Sequence, residues 1–283
     1  MPNFVVHMIT IGITQFLNIN RLTDFGLFLG DDEGNEVLLP NKYVPSEYEF
    51  NDQIEVFVYK DSEDRIVATT LIPKVEVYQY AYLQVNAVNS VGAFMDWGLE
   101  KDLLVPFREQ NGHMMVGQWY VIFVYRDFVS DRLVGTTKIK KSLHVESVDL
   151  QLNQKVEVMA FEETDRGMQV IVEGKYRGIV YANETYKPIF VGDIFTCYVK
   201  HIRTDLLIDL SLERIGRGKM DSSAERILNK LEKNKGYLHL SDKSDPDEIK
   251  DELQMSKKTF KQAIGTLYKK GIILIAEDSI SLK

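Results

Sequence analysis

Ser90-Val91-Gly92-Ala93-Phe94-Met95 sets a glycine among apolar and aromatic residues, and the pattern occurs three times in the chain. The other copies are Asp24-Phe25-Gly26-Leu27-Phe28-Leu29 and Asp165-Arg166-Gly167-Met168-Gln169-Val170, so the glycines stand 66 and 75 residues apart. Glu36-Val37-Leu38-Leu39-Pro40, Asp102-Leu103-Leu104-Val105-Pro106 and Arg177-Gly178-Ile179-Val180-Tyr181 recur at the same offsets. So do Ile54–Tyr59, Tyr120–Tyr125 and Phe195–Lys200. Three features holding two offsets define three copies of one all-β unit, followed by a different tail.

Working outward from the glycine of the first copy, five short runs are rich in β-branched and aromatic residues: Ile9–Asn18, Asp24–Gly30, Glu36–Leu39, Gln53–Tyr59 and Arg65–Thr70. Turn residues separate them at Asn20–Thr23, Asp31–Gly34 and Lys60–Asp64. Five strands spaced in this way predict a small β-barrel. The glycine then has a mechanical role, because the second strand must bend where a Cβ would obstruct it. The pattern repeats over 78–137 and 156–212. Lys138-Ile139-Lys140-Lys141 between the last two units reads as a short charged linker.

After Leu212 the β-pattern stops. Glu213–Gly218 reads as a linker, and its two glycines lack the strand, helix and Gly-Lys-Ser/Thr ending of a phosphate loop. Ser222 or Ser223 precedes a helix with an apolar stripe of Ile227, Leu228 and Leu231. Asp245-Pro246 starts a second helix and Ser256 caps a third, whose inner face is Phe260, Ile264, Leu267 and Tyr268 and which ends at Gly271. Ile272–Ala276 and Ser279–Leu282 then form a hairpin. Three helices and a hairpin make a winged helix. The expected fold is multidomain and mainly β, with barrels over 1–72, 73–145 and 146–215 and an α/β winged helix over 216–283.

The formal charge of −8 on 283 residues is unevenly spread. Residues 1–72 carry 4 Lys+Arg against 12 Asp+Glu, and residues 216–283 carry 14 against 11. A polyanion is repelled by the first unit and drawn toward the C-terminal half. Ile9–Ile19 is too short and too interrupted to span a bilayer, and no basic leader with a cleavage site precedes it. The lone Cys197 reads as a small apolar residue on a buried strand. One cysteine also fits a reducing, cytoplasmic setting. His7, His113, His144, His201 and His239 are dispersed without metal-ligand spacing, and no Ser/His/Asp or Cys/His context appears. A non-catalytic protein with no metal or cofactor is expected.

The repeat resembles the S1-type RNA-binding domain, an OB-fold barrel that stacks bases on aromatics of its second and third strands. In that family two aromatics flank the second-strand glycine. Phe25 and Phe28 fill both places in the first unit, and Phe94 fills one in the second. Arg166 and Gln169 stand there in the third, so neither position offers a ring for stacking. The family's Asp and Arg before strand five correspond to Asp61 with Arg65 and Asp127 with Arg132. Candidate RNA contacts in unit two are Phe94 and Arg132, beside Trp97 and Arg126. Unit three offers more: Tyr176, Arg177, Tyr181, Tyr186, Lys200, His201 and Arg203 interleave aromatics with cations, as a single-strand groove requires. Lys257, Lys258 and Lys261 on the third helix of the tail form a second candidate face.

The tandem of three such barrels and a winged helix looks like the conserved virulence factor B family. Val91–Gly98, Asp102–Pro106 and Ser256-Lys257-Lys258-Thr259-Phe260-Lys261 carry that resemblance. It implies a cytoplasmic RNA-binding protein that controls gene expression. The expected partner is single-stranded RNA, gripped by unit three and the winged helix. A DNA-binding regulator reading through the third helix is the alternative, and a protein scaffold built on the acidic first unit is another.

Overall fold

The computed structural model describes residues 8–182, 188–212 and 222–283, so His7, Tyr186 and the Glu213–Gly218 linker lie outside the described residues. The chain divides into two compact units, Met1–Leu212 and Glu213–Lys283.

The first unit holds the three barrels. In barrel one β1 (Thr14–Thr23), β2 (Gly26–Gly30) and β3 (Glu36–Pro40) form a meander, followed by β4 (Gln53–Lys60) and β5 (Ile66–Thr69). Leu17 and Ile19 of β1, Val37 and Leu39 of β3, and Val56 and Val58 of β4 alternate inward and are buried. β5 pairs antiparallel with β4 and parallel with β3, which closes the barrel. Barrel three repeats this with β11 (Lys155–Thr164), β12 (Gly167–Val172), β13 (Tyr176–Tyr181), β14 (Ile194–Ile202) and β15 (Ile208–Ser211). Cys197 is fully buried in its core, and that burial pushes its thiol up to about 12.

Barrel two comprises β6 (Tyr80–Val88), β7 (Gly92–Asp96), β8 (Leu103–Pro106), β9 (Trp119–Arg126) and β10 (Leu133–Thr136). Its hydrogen-bonded order is β10-β9-β6-β7-β8, so β8 and β10 close the ring by packing rather than by a ladder. A Cβ on Gly135 of β10 would lie 2.9 Å from Cγ2 of Val105 on β8. The Val105 carbonyl accepts a hydrogen bond from the Gln110 side chain.

Two expectations about the barrels need correction. The first strand runs over Thr14–Thr23 rather than Ile9–Asn18, and Asn20–Thr23 is strand rather than turn. A register shift between Ile19 and Arg21 admits the polar residue Asn20 as a bulge, after which Arg21, Leu22 and Thr23 pair with Phe28, Leu27 and Gly26. The same shift occurs between Val85 and Ala87 and between Ala160 and Glu162. The bulge thus repeats at the offsets of the glycine. Lys138–Lys141 is not a plain linker either. It forms the short helix α1 (Ile139–Ser142), because Ile139 is buried with Val121 of barrel two and Ile171 of barrel three.

The second-strand glycines Gly26, Gly92 and Gly167 have φ of +144°, +157° and +142°. A Cβ there would stand 2.0, 2.3 and 2.3 Å from the carbonyl oxygens of Leu39, Val105 and Val180. Close approach of the third strand therefore demands glycine in every copy.

The second unit is a winged helix. α2 (Ser222–Lys233), α3 (Pro246–Leu253) and α4 (Lys257–Lys269) surround Ile227, Leu231, Ile249, Phe260, Ile264 and Leu267. β17 (Ile273–Ile275) and β18 (Ile280–Leu282) form the wing, and β16 (Tyr237–Leu238) pairs with β18. The Asp245 carboxylate accepts from the Asp247 amide, and the Ser256 hydroxyl accepts from the Thr259 amide. Both N-caps stand where expected. Tyr268, expected on the inner face of α4, is exposed instead. The core beneath α4 is filled by Ala263 and Leu267.

Candidate nucleic-acid interface

In each barrel the outward face of the second and third strands meets a different fate. In barrel one the Arg21 guanidinium lies 3.8 Å above the Phe28 ring, and Glu36 accepts from Arg21 at 2.7 Å. The platform ring is thus covered by an internal cation whose charge is already paired. Phe25 remains 75% exposed at the end of the hairpin.

In barrel two Phe94 lines a cleft of about 370 Å³ whose other wall includes Tyr59, Lys60 and Ser62 of barrel one. Trp97 is not a surface ring. It is 3% exposed and meets Phe57 edge-on at 5.6 Å, an arrangement typically contributing about 0.5–1.5 kcal/mol beyond burial. Arg132 does not pair with Asp127 as expected. It donates to both carboxylate oxygens of Asp64 in barrel one, at 2.6 Å each. Asp127 instead accepts from Arg108 and Ser130. Arg126 donates to Asp131, which also accepts from Lys60. Hydrogen bonds from Arg126 and then Lys60 hold the Asp131 carboxyl down at about 2. Arg132 therefore holds barrel two against barrel one, and Arg126 pairs within its own barrel with the Asp131 that Lys60 reaches from barrel one.

In barrel three the same face carries a cleft of about 260 Å³ that includes Thr164, Arg166, Gln169, Arg177 and Arg203. Gln169, in the register position of Phe28 and Phe94, is buried, and its side-chain oxygen accepts from Arg177 Nε at 3.0 Å. Arg203 donates through Nε to Asp209 at 2.9 Å and through Nη2 to the Tyr181 hydroxyl. The Asp209 hydrogen bond raises the Arg203 guanidinium further above its ordinary value. Asp209 also accepts from the Tyr181 hydroxyl at 3.2 Å, and His201 Nδ1 lies 3.7 Å from its other oxygen. Arg203 thus pairs with Asp209 of β15. Lys200 is exposed in a bulge of β14 between Val199 and His201.

The structure brings Arg177, Tyr181, His201 and Arg203 together. It removes Tyr176, which is 3% exposed in the barrel core with its hydroxyl near Asp149. The start of β13 turns that ring inward. Arg166 and Gln169 belong to the cleft although their lack of aromatic rings counted against them. Their signal was the polar substitution at both platform positions, matched by Arg177 where the other copies carry Glu36 and Asp102. Arg166 and Arg177 beside a carboxamide can bind phosphate oxygens and base edges, with Arg203 fixed next to them by Asp209.

On the winged helix, Lys257 Nζ lies 3.5 Å from the Lys243 carbonyl and Lys261 Nζ 3.8 Å from an Asp242 oxygen. Both are drawn to the loop before α3, while Lys258 is exposed. Among the described residues no group of three or more His, Cys, Asp or Glu could hold a metal ion, and no helix is long and apolar enough to cross a membrane.

Residues 11–71 and 79–138 match the S1 domain model, and residues 225–282 match that of the CvfB-like winged helix domain. The chain is 31% identical over 265 residues to the uncharacterized protein YitL of Bacillus subtilis, covering 90% of this chain and 88% of that protein. It is 25% identical over 281 residues to conserved virulence factor B of Staphylococcus epidermidis, covering 96% and 94%. A crystal structure of a multidomain protein with nucleic acid binding domains from Streptococcus pneumoniae aligns with TM-score 0.48 and 25% identity over 96% of this chain and 98% of that one. With its S1 domains, its winged helix and relatives matched along nearly their whole length, the chain belongs to the conserved virulence factor B family.

Proposed function

We propose that this protein is a non-catalytic binder of single-stranded RNA, gripping it through the arginine cleft of barrel three, with α4 of the winged helix as a second contact. The observation that carries the reading is the Arg166, Arg177 and Arg203 trio around buried Gln169. It stands on the face that Arg21 covers in barrel one and that looks toward barrel one in barrel two. Cations with Tyr181 beside them fit phosphates and a splayed base. A sequence-tolerant grip of this kind suits post-transcriptional control, and the name virulence factor on several relatives accords with a regulatory role.

Filter binding of the intact chain to single-stranded RNA, single-stranded DNA and duplex DNA at two salt concentrations tests this. RNA retained more tightly than either DNA, with affinity falling as salt rises, is the expected result. Preferential retention of duplex DNA would replace it with groove reading by α4.

A further inference from the structure

Barrels two and three are joined by more than α1. The Tyr82 ring lies so close to Gly192 that a Cβ there would come within 2.4 Å of it. Trp119 packs against Tyr82, its ring 5.4 Å away and inclined by 36°. Trp119 is 45% exposed. Beside it opens a cleft of about 370 Å³ whose lining includes Trp119, Phe161, Val191, Lys138, Lys140 and Lys141. That volume falls within the roughly 300–1,000 Å³ of small-ligand pockets.

The cations have different duties. Lys138 donates to the Arg108 carbonyl, and Lys140 pairs with Glu162 at 2.6 Å. Lys141 is exposed on α1. The cleft therefore offers an aromatic floor, held from behind by Tyr82, under a rim carrying net positive charge.

We infer that this junction cleft is a second nucleic-acid subsite, in which one base of a single strand stacks on Trp119 and Phe161 while Lys141 meets its phosphate. The inference rests on the nucleic-acid reading above. Charge complementarity and the aromatic floor select this occupant. Continuity with the arginine cleft supports it, because β11 lines both. Phe161 and Glu162 face the junction, and Thr164 faces the arginines. At about 3.3 Å per residue the two sites are roughly 10 Å apart along the strand, within reach of one oligonucleotide.

The sequence holds two tryptophans, and Trp97 is buried, so emission changes can be assigned. The probe is oligouridylate added to the intact chain, with binding followed separately by anisotropy of a labelled oligomer. Tryptophan emission should be quenched in step with the anisotropy. Trp119→Phe should abolish the quenching while nearly keeping the affinity. Trp119→Ala should weaken binding roughly five- to a hundredfold, the usual range for one lost stack. Lys141→Ala should lower the slope of log affinity against log salt by about 0.7. Binding without quenching in the parent overturns the proposal, as does full affinity in a folded Trp119→Ala. If Trp119→Ala fails to fold, quenching in the parent and its loss in Trp119→Phe still decide. Full affinity in Arg166→Ala alongside the expected Trp119 results would sink the arginine cleft and leave the junction standing. No binding of any oligomer sinks both.

Discussion

Arg132 of barrel two holds Asp64 of barrel one through two hydrogen bonds of 2.6 Å, although the two residues are 68 positions apart in sequence. Lys101 adds to the same seam by donating to the Lys60 and Asp61 carbonyls. Arg132, expected to face RNA, thus helps to fasten one barrel to the next.

Arg132→Ala should accordingly leave RNA affinity within about twofold of the parent, where loss of one bound phosphate contact would alter the salt slope by about 0.7. The effect should appear instead as a modest fall in the urea midpoint, since exposed ion pairs contribute little individually. A tenfold loss of RNA binding with an unchanged midpoint would return Arg132 to the interface.

The seam should also be sensitive to acid. Arg126 and Lys60 hold Asp131 at about 2, and Arg132 lowers Asp64 below its ordinary 3.8. A carboxylate depressed in the folded state contributes fully above its unfolded value and loses that contribution as pH falls through its folded one. The urea midpoint should therefore hold down to about pH 4 and fall between there and pH 2. Asp131→Asn should show a lower midpoint at neutral pH and a shallower acid dependence. Identical profiles for parent and variant would show that this pairing contributes nothing.

Within the arginine cleft, Arg166→Ala and Arg177→Ala should each weaken single-strand binding and each reduce the salt slope by about 0.7. Gln169→Ala, which removes no charge, should lower affinity with the slope unchanged. Measuring affinity across a salt series separates these roles. An unchanged slope in both arginine variants would place phosphate binding elsewhere.

Tyr181 meets the cleft's Arg203 through its hydroxyl, which is also bonded to Asp209. Loss of a stacked base typically costs about 1–3 kcal/mol, so Tyr181→Ala should weaken RNA binding roughly five- to a hundredfold. Tyr181→Phe should keep most of the affinity, because stacking needs only the ring. Equal losses in the two folded variants would mean that the hydroxyl, by orienting Arg203, is what matters.

Gly167→Ala should destabilise barrel three. Its Cβ would meet the Val180 carbonyl oxygen at 2.3 Å, at a φ of +142°. Such backbone positions cost roughly 1–3 kcal/mol for other residues. A thermal midpoint equal to that of the parent would show that the third strand can withdraw.

The three glycines 66 and 75 residues apart, the β-branched and aromatic runs between turn residues, and the caps Asp245 and Ser256 were enough to read three barrels and a winged helix from the chain alone. Those signals are local: a strand shows its period, a cap shows its side chain, and a tight approach shows its glycine. The candidate face was only partly legible. Arg177, Tyr181, His201 and Arg203 converge, but Tyr176 turns into the core, Arg132 leaves for Asp64, and Arg166 with Gln169 joins the cleft. The platform of barrel one is covered by Arg21, and Trp119 and Phe161 form a floor between two barrels. The covering of Phe28 by Arg21 and the inward turn of Tyr176 arise within one barrel, whereas the pairing of Arg132 and the Trp119–Phe161 floor arise between barrels. Which surface of a repeat stays available depends on how its neighbours bury it and where their charges reach, and that is decided only when the barrels pack.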